Sequence, residues 1–120
     1  MELRTDSITG AQHAVVYSLG NFISNMSKVN TDGGLIFTLE LERDTTTSTS
    51  TQVRVQRCEY NLVWTARPNL TKEKNYVLYP TDSTSISKLP EAARNHLNIF
   101  VKNSRKLLQQ HNVGIKENKK

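Results

Sequence analysis

Three histidines, one cysteine and a serine at a glycine-terminated strand end are the side chains most open to metal ligation or nucleophilic chemistry. His13, His96 and His111 are dispersed along the chain. His96 and His111 stand fifteen residues apart on one expected helix, far beyond the single turn that brings two imidazoles to one ion. No metal site is expected from them. Ser18 lies within Tyr-Ser-Leu-Gly-Asn, which is not the Gly-x-Ser-x-Gly elbow that exposes a serine nucleophile. Cys58 falls among strand residues on the apolar parity, where a thiol behaves as a small hydrophobe. Glu40 and Glu42 share the outward face of one strand, a position where paired acids mainly confer solubility. These residues make no complete active site, so no catalytic residue, metal or cofactor is assigned to the chain.

The cations offer a different chemistry. Sixteen Lys and Arg oppose eleven Asp and Glu, a net charge of +5, and the excess lies in the second half. Residues 1–60 sum to −2 and residues 61–120 to +7. Arg94, Lys102, Arg105 and Lys106 line the polar side of an expected helix, and Lys116, Lys119 and Lys120 follow. A solvated basic helix and tail that keep the protein soluble are one reading of this charge; contact with a nucleic acid, an anionic lipid or another polyanion is the other. Tyr60, Trp64, Tyr76 and Tyr79 fall on strands, where core packing is their simpler use, and no aromatic stacking platform interleaved with Lys or Arg is evident.

The elements that position these residues must fit within 120 residues, enough for one modest domain. A single thiol excludes an internal disulfide framework and a cysteine zinc cluster. No apolar run approaches the roughly 18 residues that cross a bilayer. Met-Glu-Leu-Arg-Thr-Asp at the start forms no charged region leading into a hydrophobic stretch, so no export signal is expected.

Residues 13–19 are apolar and β-branched without clean alternation, which predicts a strand covered on both faces and ended by Gly20-Asn21. Asn21 is expected to bond its neighbouring backbone and lock the turn, with Phe22 packed beneath. Thr31-Asp32-Gly33-Gly34 reads as a turn. Phe37, Leu39 and Leu41 then share one parity, and Thr38, Glu40 and Glu42 the other. An unbroken Thr/Ser run over residues 45–51 predicts an exposed hairpin connection. Beyond it Val53 and Val55 are odd, whereas Cys58, Tyr60, Leu62 and Trp64 are even. A β-bulge near Gln56-Arg57 would restore one buried face; a strand that changes sheets there is the rival explanation.

Arg67-Pro68-Asn69 ends that strand, and residues 76–79 form another, closed by Pro80. Residues 81–88 read as a Ser/Thr-rich loop. Pro90 and Glu91 suit a first helical turn. Ala93, Leu97, Phe100, Val101, Leu107 and Leu108 recur at helical spacing after them. Asn112 and Gly114 stop this helix. The expectation is an α+β domain over residues 1–114, with a largely antiparallel sheet of about four strands, one C-terminal amphipathic helix and a disordered basic tail at 115–120.

The stretch AVVYSLGNFISN, residues 14–25, resembles a signature of the bacterial capsule synthesis family, the CapA-like or poly-γ-glutamate capsule proteins. Tyr17, Ser18, Leu19, Gly20, Asn21 and Phe22 carry it. Asp32, Gly33 and Gly34 extend it into LIFTLELE, and VRVQRCEYNLVWTARP is similar to the family's following strand, so the likeness spans residues 13–68. The resemblance implies part of a metallophosphatase-like sandwich, whose full-length members resemble metal-dependent phosphoesterases and carry their divalent-metal motifs upstream of this signature. An Asp-bearing strand, an Asn-Asn-His turn and a Gly-His-Pro-His turn are the motifs concerned, and none occurs here.

This chain thus resembles the C-terminal portion of such a protein, as an excised piece or a short stand-alone protein. A structural or accessory, non-catalytic role is the implied function, with binding of a polyanion, such as poly-γ-glutamate, another anionic polymer or a nucleic acid, as the alternative. The implied partner is an upstream metallophosphatase-like portion or a separate partner chain. A homodimer is expected where truncation leaves apolar sheet uncovered. By the same resemblance the site of action is the outward face of the bacterial cell envelope.

Overall fold

The computed structural model describes residues 1–21, 26, 28–43, 53–81 and 83–119. Its elements in chain order are β1 (Glu2–Thr5), β2 (Gln12–Val15), β3 (Gly33–Arg43), β4 (Val53–Ala66), α1 (Pro68–Thr71), β5 (Val77–Pro80), α2 (Ser83–Ser87), α3 (Glu91–His111) and β6 (Lys116–Glu117). β1 and β2 pair antiparallel as a two-stranded sheet. The second sheet has the order β3-β4-β5 with antiparallel neighbours, and β6 runs parallel to β4. The fold is α+β, as the residue patterns predict.

Alternation of apolar residues builds the central pair. Leu35 stands opposite Leu62, Phe37 opposite Tyr60 and Leu39 opposite Cys58, all on one face. Glu40 then pairs with Arg57 and Leu41 with Val55, which leaves Gln56 without a counterpart. This is the bulge that the parity change demands, and it keeps Val53 and Val55 on the face of Cys58 and Tyr60. Deleting Gln56 is therefore expected to leave every apolar side chain on its present face and to shift the urea midpoint little. Deleting Asn61 moves half of β4 to the wrong face, and circular dichroism should show a chain without a cooperative unfolding transition.

One face of α3 supplies the second layer. Ala93, Leu97, Phe100 and Val101 are buried and join Leu35, Tyr60, Leu62 and Trp64 in a single core cluster. Burying Leu97 alone contributes roughly 1.5–3 kcal/mol. α3 does not reach the far half of the β3–β4 ribbon, so Leu39, Leu41 and Val53 stay exposed although their parity is that of the core.

Tertiary packing overrides several local expectations. Thr31-Asp32-Gly33-Gly34 does not form the turn: Gly33 and Gly34 are buried and open β3, because β4 and the Leu19–Asn21 segment take up their backbone groups, and the chain turns just before, where the Thr31 amide donates to the Lys28 carbonyl at 3.1 Å. The stretch 13–19 is not covered on both faces: β2 ends at Val15, Gln12 and His13 are exposed, and Tyr17 is 68% exposed. A two-stranded sheet has no second layer to bury such a run, and beyond Val15 the chain leaves β1 for the edge of β3. Residues 81–88 contain α2, where Ile86 packs against the core and an apolar anchor outweighs the weak helix propensity of serine and threonine. Pro90 is the N-cap of α3, with Glu91 its first residue. Leu107 is 59% exposed, because it lies about 100° around the helix from half-buried Leu108 and past the sheet's cover.

The last correction concerns the tail. Ile115 is buried, β6 pairs with Glu59 and Tyr60, and the Asn118 amide donates to the Tyr60 carbonyl at 2.8 Å. Order therefore runs on past residue 114, because one apolar anchor and an open stretch of β4 edge offer residues 115–119 a place to dock. The Thr/Ser connection at 45–51 and the expected packing of Phe22 lie outside the described residues.

Candidate functional site

The two halves of the YSLGN and DGG signature meet, and backbone is what joins them. Gly20 bridges Gly34. The Asn21 amide donates to the Gly33 carbonyl at 3.0 Å, and the Leu35 amide to the Leu19 carbonyl at 2.9 Å. Gly20 has a φ of +80°, and a Cβ built on it would lie 2.8 Å from the Gly34 Cα and 2.9 Å from the Gly33 carbonyl oxygen. Only glycine permits both this backbone conformation and this approach. Gly33 is pressed from the other side, since a Cβ there would lie 2.6 Å from the Phe100 ring and 2.6 Å from the Val63 carbonyl oxygen.

Asn21 reaches across the chain to do its work. Its amide nitrogen donates to Met26 Sδ at 3.4 Å and to the Thr31 carbonyl at 3.5 Å. It thus ties the strand end to the approach of β3, where sequence alone placed its bonds on its own neighbours. Tyr17 donates its hydroxyl to the Glu2 carboxylate at 2.8 Å, and Arg4 bonds the same carboxylate. The Arg4 guanidinium, then the Tyr17 hydroxyl, hold Glu2 below the usual carboxylate range. Ser18 accepts from the Gly20 amide at 3.2 Å, a local turn bond.

Asp32 is the signature residue whose partner no motif discloses. It is buried, and its Oδ2 accepts the Trp64 indole N–H at 3.0 Å while its carbonyl accepts the Thr65 amide at 2.8 Å. An acid before a Gly-Gly pair and a tryptophan on an inward parity are visible in sequence; their meeting depends on the β3–β4 register, in which Gly33 faces Trp64. Chemically the knot fixes backbone geometry. Beside it opens a depression of about 200 Å³ lined by Ser18, Leu19, Phe100, Ser104 and Leu107, among others.

The remaining candidates are scattered. Among the described residues no group of three or more His, Cys, Asp or Glu is placed to hold a metal ion. Cys58 is half-buried beside the core, and burial pushes its thiol above the usual range. The folded state thus holds this proton more tightly than the unfolded chain, so Cys58 contributes stability that is fully present below the ordinary thiol pKa and is lost as pH rises from there through its raised folded value. Alkylation of native protein near pH 8 is expected to be several-fold slower than of the urea-unfolded chain, as mass spectrometry would read it.

The four helix cations separate into two kinds. Lys102 and Lys106 are exposed one turn apart, and Arg94 is half-buried. Arg105 does not face solvent as a free charge: its Nε donates to both Glu117 carboxylate oxygens, at 3.2 and 3.0 Å, and its Nη2 donates to Oε1 at 2.8 Å. β6 carries that acid to the flank of α3, and its register could not be read from the tail's composition. A double-mutant cycle of Arg105→Ala and Glu117→Ala should give a coupling of about 1 kcal/mol, measured by urea unfolding.

Comparisons with protein-family models, with curated proteins and with solved structures find no match to this chain. Among the described residues, no helix is long and apolar enough to cross a membrane.

Proposed function

We propose that this chain is the non-catalytic C-terminal portion of a CapA-like capsule biosynthesis protein, acting in a structural or accessory role at the outward face of the bacterial envelope. One observation carries the reading. The residues that resemble the family signature, Leu19-Gly20-Asn21 and Asp32-Gly33-Gly34, are those whose backbones interlock, so the likeness falls on positions with a physical need for their residue types. Its partner in this reading is an upstream metallophosphatase-like portion, and any divalent metal belongs there. Tyr17, Leu107 and Val113 stand exposed around one concavity beside the knot, with the buried Leu35 in its lining, and supply apolar surface for such a portion to cover.

Co-expression with the upstream portion of a CapA-like protein tests it. A one-to-one complex, with phosphoesterase activity absent from either part alone, is the expected result. Two parts that elute separately and stay inactive would defeat the reading.

Binding of a polyanion is the second reading, favoured by the exposed pair Lys102 and Lys106. Poly-γ-glutamate should then bind at low salt and be released as salt rises, and Lys102→Glu with Lys106→Glu should abolish binding. Arg105, engaged by Glu117, should matter little.

A further inference from the structure

We infer that Glu59–Asn61 of β4, together with Arg105 of α3, form a recognition site for an extended peptide of the pattern Ile-x-Glu-Asn, which residues 115–118 of this chain fill as a displaceable occupant. The inference stands apart from the capsule reading. β6 lies parallel to β4, with Lys116 beside Glu59 and Glu117 beside Tyr60. Two bonds hold the backbone of the occupant. The Tyr60 carbonyl accepts the Asn118 amide at 2.8 Å, and the Asn61 side chain donates to the Asn118 carbonyl at 2.9 Å. This is strand addition, in which main-chain bonds give affinity and the side chains give selectivity.

Three side chains are read. Ile115 is 5% exposed within the core cluster, so the first position demands an apolar residue. Two residues on, the strand period returns Glu117 to the same face, where the Arg105 Nε donates to both its carboxylate oxygens. The Asn118 side chain donates to Glu59 Oε1 at 2.8 Å, and Arg57 steadies that carboxylate from 3.5 Å. Lys116, between them, is exposed and unread. The contacts to Glu117 and Asn118 come from groups 12 to 59 residues away in sequence, so a segment covalently separate from α3 would meet the same groups.

The leash allows the occupant to leave. Val113 is clamped, since its amide donates to the Met1 carbonyl at 3.0 Å and its carbonyl accepts the Leu3 amide at 2.9 Å. Gly114 follows at φ +74° and turns the chain from this clamp toward β4, where β6 is only two residues long. Opening is thus confined to the stretch after Val113 and spares the β3–β4 pair and α3. While closed, the tethered segment competes at an effective concentration on the order of millimolar, which excludes weaker ligands. The tail is an autoinhibitory contact.

A peptide of residues 113–120, added unlabelled to the 120-residue chain labelled with nitrogen-15, is the first test. At about 10 mM peptide the tail should be displaced: the Glu117 and Asn118 amide resonances move to random-coil positions, while those of Glu59–Asn61 scarcely move because the peptide renews their bonds. Tail resonances unmoved at that concentration would overturn the inference.

Disabling the tethered copy should raise the affinity. The chain carrying Ile115→Ser and Glu117→Gln should bind the peptide about tenfold more tightly, and a peptide with Lys in place of its Glu should not bind. Adding Arg105→Glu to that chain should reverse its preference between the two peptides. Equal binding of both peptides would overturn the pattern, and if the altered chain does not fold, the titration of the unaltered chain decides.

Discussion

Trp64→Ala is expected to unfold most of the protein at room temperature. The side chain is 0% exposed, lies at the inner end of β4 and packs with its ring centroid 6.3 Å from that of Tyr79. Truncating a buried aromatic to alanine costs about 3–5 kcal/mol. The loss leaves the buried Asp32 carboxylate without its indole donor, a further cost of about 1–3 kcal/mol. A domain of this size has total stability near the lower end of about 5–15 kcal/mol, so little remains. Urea titration by circular dichroism would measure it, and a midpoint near wild type would refute the assignment of Trp64 as the central core residue. Two variants divide the effect. Trp64→Phe keeps most of the ring but orphans Asp32, whereas Asp32→Asn keeps an acceptor for the indole and should cost well under half as much.

Gly20→Val should destabilise by about 3 kcal/mol, the second-largest expected effect. A residue with Cβ at φ +80° costs roughly 1–2 kcal/mol. Its side chain also meets Gly34 backbone, which cannot rotate away as a side-chain tip would. Separating the two segments breaks the Asn21-to-Gly33 and Leu35-to-Leu19 bonds, each contributing about 0.5–1.5 kcal/mol. Gly10→Ala is the control: φ is +72°, but nothing lies within 4 Å of the added atom, so only the conformational cost of about 1 kcal/mol remains. Hydrogen exchange would locate the damage, with the amides of Asn21 and Leu35 losing protection first in Gly20→Val. Equal losses for the two variants would show that the close approach at Gly20 contributes nothing.

The knot's parts were legible and its closure was not. Gly20 announces a sharp turn or a close backbone approach wherever it lies, and Gly33-Gly34 reads as part of a turn, but nothing in residues 14–25 says that Leu19-Gly20-Asn21 will run along the edge of β3. The same division applies to charge. Arg94, Lys102, Arg105 and Lys106 share one polar side by helical spacing alone, yet Arg105 alone is met by Glu117.

Periodicity is a local property, and it was enough to call for the β3–β4 pair, an irregularity near Gln56-Arg57 that the β3–β4 register resolves as a bulge, and the helix of residues 91–111. Each arises from the need to put apolar side chains on one face at a spacing of two or 3.6 residues. Pairing is not local. The exposure of Tyr17 and Leu41, the docking of residues 115–119 and the bond between Asp32 and Trp64 were decided only in the tertiary structure, because each depends on which distant surface arrives to cover or bond the group, and that surface exists only after the sheet and α3 have assembled.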